Sequence, residues 1–146
     1  MKILYVEDSP LAAEYRNVMT FQGRHEVEWV TNLADAEAYL TDNGQNYYGV
    51  IVLDLDLNKL YLPNKLRKRA KFTGEFAGWL FYLEVLSKAQ QDRTIMLSGF
   101  TSQLTPEMKQ SVLAENSKVL RIVDKNDGNR NQMIKEYIDS IEKGDG

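Results

Sequence analysis

The sequence contains no cysteine and a single histidine, His25. Without cysteine there is neither a disulfide framework nor thiolate chemistry, and one histidine cannot supply a multi-histidine metal site. A cysteine-free chain also points towards a reducing compartment. No apolar run approaches the ~20 residues that a bilayer crossing requires, and charged residues follow Met1 within a few positions, so neither a membrane span nor a secretory leader is expected. A soluble, cytoplasmic protein is the expectation. No helix-turn-helix or other nucleic-acid-reading pattern occurs, which argues against direct DNA binding.

What is present suffices for one domain over residues 1–146, since 43% of the chain is hydrophobic and a substantial core can form. Charge is unevenly placed. Residues 57–73, LNKLYLPNKLRKRAKFT, hold Lys59, Lys65, Arg67, Lys68, Arg69 and Lys71 and no acid. That stretch carries +6, so with a net charge of -3 the remainder carries -9.

Strand-like and helix-like segments alternate. KILYV (2–6) reads as a strand, and Ser9-Pro10 starts a helix running to about Phe21, with Gly23 closing it. VEWV (27–30) is a second strand, and Asn32 caps a helix that Asn43-Gly44 ends. GVIVLD (49–54) is strand three, GWLFYLEVLSKA (78–89) one apolar helix, and TIML (94–97) strand four. Thr105-Pro106 opens another helix, VLRIV (119–123) is strand five, and Met133, Ile134, Tyr137, Ile138 and Ile141 mark a closing helix. Parallel strands require crossovers, so this alternation predicts a doubly wound α/β fold with helices on both faces of the sheet. Trp29, Tyr39, Trp79, Phe81 and Tyr82 are expected in the core or packed on helices, and His25 at a surface turn.

In such a fold ligands bind beyond the carboxyl ends of the strands. Those ends carry Glu7 and Asp8, Asp54 and Asp56, Ser98 and Gly99, and Lys125. Clustered carboxylates raise one another's pKa unless a cation lies among them, and hard oxygen ligands suit Mg²⁺, which favours phosphate-bearing substrates. A carboxylate can itself be the nucleophile and form an aspartyl phosphate. Asp54, at the end of the most apolar strand, is the best placed. Taken singly, Glu7-Asp8-Ser9 fits the polar start of a helix and Ser98-Gly99 an ordinary turn; their weight comes from convergence.

YVEDSP, VIVLDLDL, IMLSGF and IVDK, in this order over nearly the whole chain, resemble the motif set of response-regulator receiver domains. The resemblance implies a flavodoxin-like sheet of strand order 2-1-3-4-5. It implies that Glu7 and Asp8 hold Mg²⁺, with Asp54 and the main-chain carbonyl of Asp56 as further ligands. Asp54 would accept the phosphoryl group, Ser98 would hydrogen-bond it and Lys125 would pair with it. The implied donor is a histidine kinase or a histidine phosphotransfer protein; the downstream target, a fused output domain and self-association are left open. Phe100, two residues after Ser98, is then placed to shield the phosphoryl group from water.

Three positions depart from the family. Asn126 follows Lys125 where proline is usual, Ile122 stands where a switch aromatic is common, and the loop after Asp54 is lengthened so that Gly78 takes the place of the glycine that opens helix three. The basic stretch at 57–73 is that insertion, and six cations beside Asp54 suggest a docking surface for acidic partners. Two other readings stand beside the receiver. One is a haloacid-dehalogenase-type phosphatase using Asp54 and Asp56, although that motif belongs on the first strand of that family. The other is a receiver-like interaction module that is never phosphorylated.

Overall fold

Successive residues of each strand pack on opposite faces of the sheet, and this alternation organises the molecule. The computed structural model describes residues 1–8, 12–20, 23–55, 77–99 and 121–144. In chain order these form β1 (Lys2–Val6), α1 (Ala12–Thr20), β2 (Glu26–Val30), α2 (Leu33–Asn43), β3 (Val50–Asp54), α3 (Ala77–Glu84), α4 (Lys88–Gln91), β4 (Thr94–Ser98), β5 (Ile122–Asp124) and α5 (Arg130–Glu142). The strands make one five-stranded sheet in the order β2-β1-β3-β4-β5, with every neighbouring pair parallel. This is the doubly wound fold expected from the alternation of segments, with the flavodoxin-like strand order that the resemblance implied.

Ile3, Tyr5, Val50, Val52, Ile95 and Leu97 face α1 and α5, where Tyr15, Met19, Ile134 and Ile138 cover them. Leu4, Val6, Ile51, Leu53 and Met96 face α2 and α3, where Leu33, Leu40, Leu80 and Phe81 cover them. Residues 50 to 53 of β3 are fully buried, each apolar side chain contributing roughly 1.5–3 kcal/mol by leaving water. The strand is therefore anchored up to the residue before Asp54. Asn32 caps α2 by accepting from the Asp35 amide at 2.8 Å, and Gly44, at φ 87°, ends it with its N–H on Leu40 O.

The apolar run after residue 77 differs from its sequence reading. A single helix over 78–89 was expected, but α3 ends at Glu84 and α4 starts afresh at Lys88. Ser87 explains the break: its hydroxyl accepts from the Gln90 amide and the Gln90 side chain accepts from the Ser87 amide, a reciprocal cap that starts a new helix. Of the strand expected at VLRIV (119–123), residues 119 and 120 lie outside the described residues, and β5 covers Ile122–Asp124. Trp79, Phe81 and Tyr82 are buried as expected, while Trp29 and Tyr39 are exposed. Ser9, Pro10, Phe21, the basic stretch at 57–73, Phe100 and the helix expected from Thr105-Pro106 lie outside the described residues.

His25, expected at the surface, is 3% exposed. Its Nδ1 lies 3.3 Å from the Met1 amino nitrogen and 3.8 Å from Glu142 Oε2. Arg24 bonds Glu142 and lies 3.7 Å from Asp139, so the start of β2 is clasped to the end of α5. Burial lowers the His25 pKa, the Met1 ammonium and Arg24 lower it further, and Glu142 and Asp139 oppose them. A histidine held neutral in the fold contributes stability that is complete above its unfolded value of 6.5 and is lost as pH falls below it. Urea midpoints measured from pH 7.5 to 5.5 should decline in the native chain and decline less in His25→Gln. Equal slopes would mean that His25 titrates identically in both states.

Candidate functional site

Three carboxylates meet at the carboxyl edge of the sheet. Val6 pairs with Leu53, so Glu7, one past β1, lies beside Asp54, the last residue of β3. Strand alternation turns both towards α1 and α5, the side on which Tyr5 and Val52 pack. Carboxylate oxygens of Glu7, Asp8 and Asp54 all lie within 4.8 Å of one another. Lys125, just past β5, reaches the same point: its Nζ is 2.6 Å from Glu7 Oε1 and 3.3 Å from Asp54 Oδ1. Glu7 and Asp54 are buried and Asp8 is exposed, so the cluster opens to solvent on the Asp8 side.

The charges do not balance locally. Burial first, and the facing Asp54 second, push the Glu7 carboxyl up to about 9, while Lys125 opposes both. Burial would lower Lys125, but Asp54 and Glu7 outweigh it and its pKa rises, so the ammonium is held charged. Tyr5, fully buried two residues before Glu7, has its phenol pushed upward by burial and then by the Glu7 and Asp54 charges. Among the described residues, Glu7 Oε2 is buried and has no hydrogen-bond partner. A donor-free carboxylate oxygen among three converging acids fits a hard cation, and the all-oxygen set suits Mg²⁺.

Ser98 ends β4, fully buried, and its main-chain carbonyl accepts from the Lys125 amide at 2.9 Å. Asn126, in the place of the family's proline, accounts for the next turn. Its amide donates to Asp124 Oδ1 at 2.8 Å and its side-chain Nδ2 to Gly99 O at 3.0 Å, tying the loop after β5 to the residue after Ser98. Ile122 pairs with Met96 and packs, partly buried, against the α2–α3 core. The structure thus brings Glu7, Asp8, Asp54 and Lys125 into one cluster with Ser98 beside Lys125 along the backbone. Asp56 lies outside the described residues.

Two contributors escaped the sequence reading. Trp29, assigned to the core, is 39% exposed and donates its indole N–H to the Glu7 carbonyl at 2.8 Å; its pairing with Tyr5 across β1–β2 is the signal that would have placed it. Gly78 was noted only as a helix opener. A Cβ there would lie 2.3 Å from Asp54 O and 2.7 Å from Leu55 Cα, so only glycine lets α3 pack on the end of β3.

No family model matches the sequence, and no curated protein matches it. Solved structures do. A CheY-like response regulator receiver domain from Methylobacillus flagellatus is 19% identical, with 97% of this chain and 98% of that one covered and a TM-score of 0.62. The N-terminal domain of a response regulator/sensory box/GGDEF three-domain protein from Carboxydothermus hydrogenoformans matches over 100% of both chains at 19% identity and a TM-score of 0.62. A CheY-like receiver domain protein from Methanospirillum hungatei is 22% identical over 98% of this chain and 97% of that one, at a TM-score of 0.57. The chain has the response-regulator receiver fold. In the receiver fold the carboxyl edge of the sheet is where the strand order reverses, between β1 and β3, and Glu7 and Asp54 flank that reversal.

The indole of Trp29 gives the acidic cluster a reporter. In a Trp79→Phe background, Mg²⁺ should change Trp29 emission saturably, because a cation held by Glu7 and Asp8 shifts the carbonyl that the indole bonds. Asp8→Ala should remove the response over the same concentrations. A titration unaltered by that change would mean the cation does not use Asp8.

Proposed function

We propose that the chain is a receiver domain, spanning residues 1–146, that accepts a phosphoryl group on Asp54 and changes conformation to signal. The observation that carries this reading is the meeting of Glu7, Asp8 and Asp54 oxygens within 4.8 Å of one another, with Lys125 Nζ against both Glu7 and Asp54. A carboxylate oxygen of Asp54 attacks phosphorus, and the bond from phosphorus to the donor breaks with its electron pair leaving on the donor. The donor is the phosphohistidine of a kinase or phosphotransfer protein, or a small acyl phosphate. Lys125 already faces the Asp54 carboxylate and offsets the negative charge gathering on the transferred oxygens. Ser98, at the end of β4, supplies a hydroxyl to one of those oxygens. Mg²⁺, held by Glu7, Asp8, Asp54 and the Asp56 carbonyl, supplies further neutralisation of phosphoryl charge when bound.

The added phosphate brings negative charge and acceptor atoms beside a backbone already linked from Ser98 to Lys125 and from Gly99 to Asn126. Movement of one of these loops draws on the other, which is how the modification becomes a change of surface. With Ile122 in the position of the usual aromatic, that change does not run through a ring rotation. Cytoplasmic location and a partner kinase belong to the same reading, as does an acidic partner for residues 57–73.

Incubation with Mg²⁺ and acetyl phosphate followed by intact mass measurement tests the proposal. One acid-labile phosphoryl group per chain is the expected result, and it should be absent when EDTA replaces Mg²⁺. Continuous hydrolysis of phosphomonoesters would instead favour the phosphatase reading, and neither activity the pure interaction module.

A further inference from the structure

A cavity lies on the other side of the sheet, lined by residues that take no part in the acidic cluster. The break between α3 and α4 leaves a cavity of about 300 Å³ against the C-terminal half of α2, lined among others by Glu37, Leu40, Thr41, Gln45, Val85 and Gln90. This volume is at the lower end of the range of small-molecule sites, roughly 300–1,000 Å³.

The walls are held in place by polar bonds. Ser87 Oγ donates to Gln45 Oε1 at 2.8 Å and accepts from the Gln90 amide at 3.2 Å. Gln90, 5% exposed, is fixed further by the Ser87 amide on its Oε1 at 2.9 Å and by the Thr94 hydroxyl on its carbonyl at 2.7 Å. Arg93 holds the Gln45 carbonyl at 2.7 Å. One lining group stands apart from this order: Glu37 is half-buried, and among the described residues its buried Oε2 has no hydrogen-bond partner and its carboxylate is in no ion pair. A buried carboxylate oxygen left without a donor is costly, and such atoms in native folds call for an explanation.

We propose that this cavity binds a small organic cation, an ammonium or guanidinium group on a short aliphatic chain, with Glu37 as its counter-ion. The cation donates to Glu37 Oε2, and its methylene groups lie on Leu40 and Val85. Carboxylate and apolar wall together select against neutral and anionic compounds of the same length, the first lacking charge and the second being repelled. The proposal stands apart from the phosphoacceptor reading, because neither Asp54 nor its neighbours line the cavity.

Side-chain amide and methyl NMR spectra of the full chain, titrated with n-butylamine, n-butanol and butyrate at pH 7, test it. Butylammonium should shift the Gln45 and Gln90 amide signals and the Leu40 and Val85 methyls saturably, in the millimolar range expected of so small a ligand. Butanol and butyrate should bind roughly tenfold more weakly or not at all, and Glu37→Gln should weaken butylammonium by about tenfold or more, the loss of a charge-assisted hydrogen bond. Backbone amide spectra of Glu37→Gln should be as dispersed as those of the native chain and report that the variant is folded. Equal binding of butanol, indifference to Glu37→Gln, or no saturable shift would each overturn the assignment.

Discussion

Asp54→Asn should take up no acid-labile phosphate from acetyl phosphate and Mg²⁺, where the native chain is expected to gain one phosphoryl group. The amide keeps the size and planarity of the carboxyl but has no anionic oxygen to attack phosphorus. Asp54 is the second-largest cause of the raised Glu7 carboxyl, so the variant should also bring Glu7 down towards its ordinary range. Losing one of the two carboxylates that Lys125 touches acts in the opposite direction. These two effects leave stability within about 1 kcal/mol of the native chain. Labelling and stability are therefore separable in this variant, and undiminished labelling would place the nucleophile on another residue.

Gly78→Ala should be the most disruptive single methyl in the described fold. The atoms its Cβ would strike, Asp54 O at 2.3 Å and Leu55 Cα at 2.7 Å, are backbone atoms of the anchored strand and its first turn. No side chain can swing aside, so α3 must withdraw from β3. Helix α3 carries Trp79, Leu80, Phe81 and Tyr82 into the core, and shifting it loosens their contacts as well. Overpacking costs typically ~1–3 kcal/mol, and with backbone on both sides the upper figure, about 3 kcal/mol, is expected from urea unfolding. The Mg²⁺ response of Trp29 should weaken in parallel, because the withdrawal of α3 removes the support at the strand end that presents Asp54. A loss below about 0.5 kcal/mol, the scale of an uneventful surface change, would mean α3 is free to slide.

The topology was legible because it rests on patterns that repeat. β1, β3 and β4 are short apolar runs and helix-like segments lie between the strands, so a parallel sheet with right-handed crossovers followed from general rules, while the strand order came from the family resemblance. Glu7, Asp8, Asp54 and Lys125 were legible for the same reason: they occupy the carboxyl ends that such a sheet brings together. What could not be read depended on contacts between distant residues. The capping serine at 87 reads as an ordinary helical position within GWLFYLEVLSKA until Gln90 is seen to answer it. His25 looks like a turn residue beside Gly23 and Arg24, because Glu142, which faces it, is more than a hundred residues away. Trp29 reads as core by type, and only its place on the outermost strand leaves the indole in solvent. Asn126 was the converse case: a residue that departs from the expected proline yet ties the same loop through two hydrogen bonds.

The contact between Gly78 and the end of β3 also bears on the long segment that separates them. The chain leaves the described fold after Leu55 and returns at Ala77, and the Gly78 amide on the Leu55 carbonyl, at 3.3 Å, fastens the two ends together. With its two ends already joined, a change in the number of residues between them costs little, since each doubling of a closed length adds only about 0.6 kcal/mol of closure entropy. A change in length between residues 57 and 76 is therefore expected to leave the sheet that carries Asp54 in place. Force is a different matter. A pull on the chain beyond Leu55 is borne by the Gly78–Leu55 hydrogen bond, one residue from the candidate phosphoacceptor.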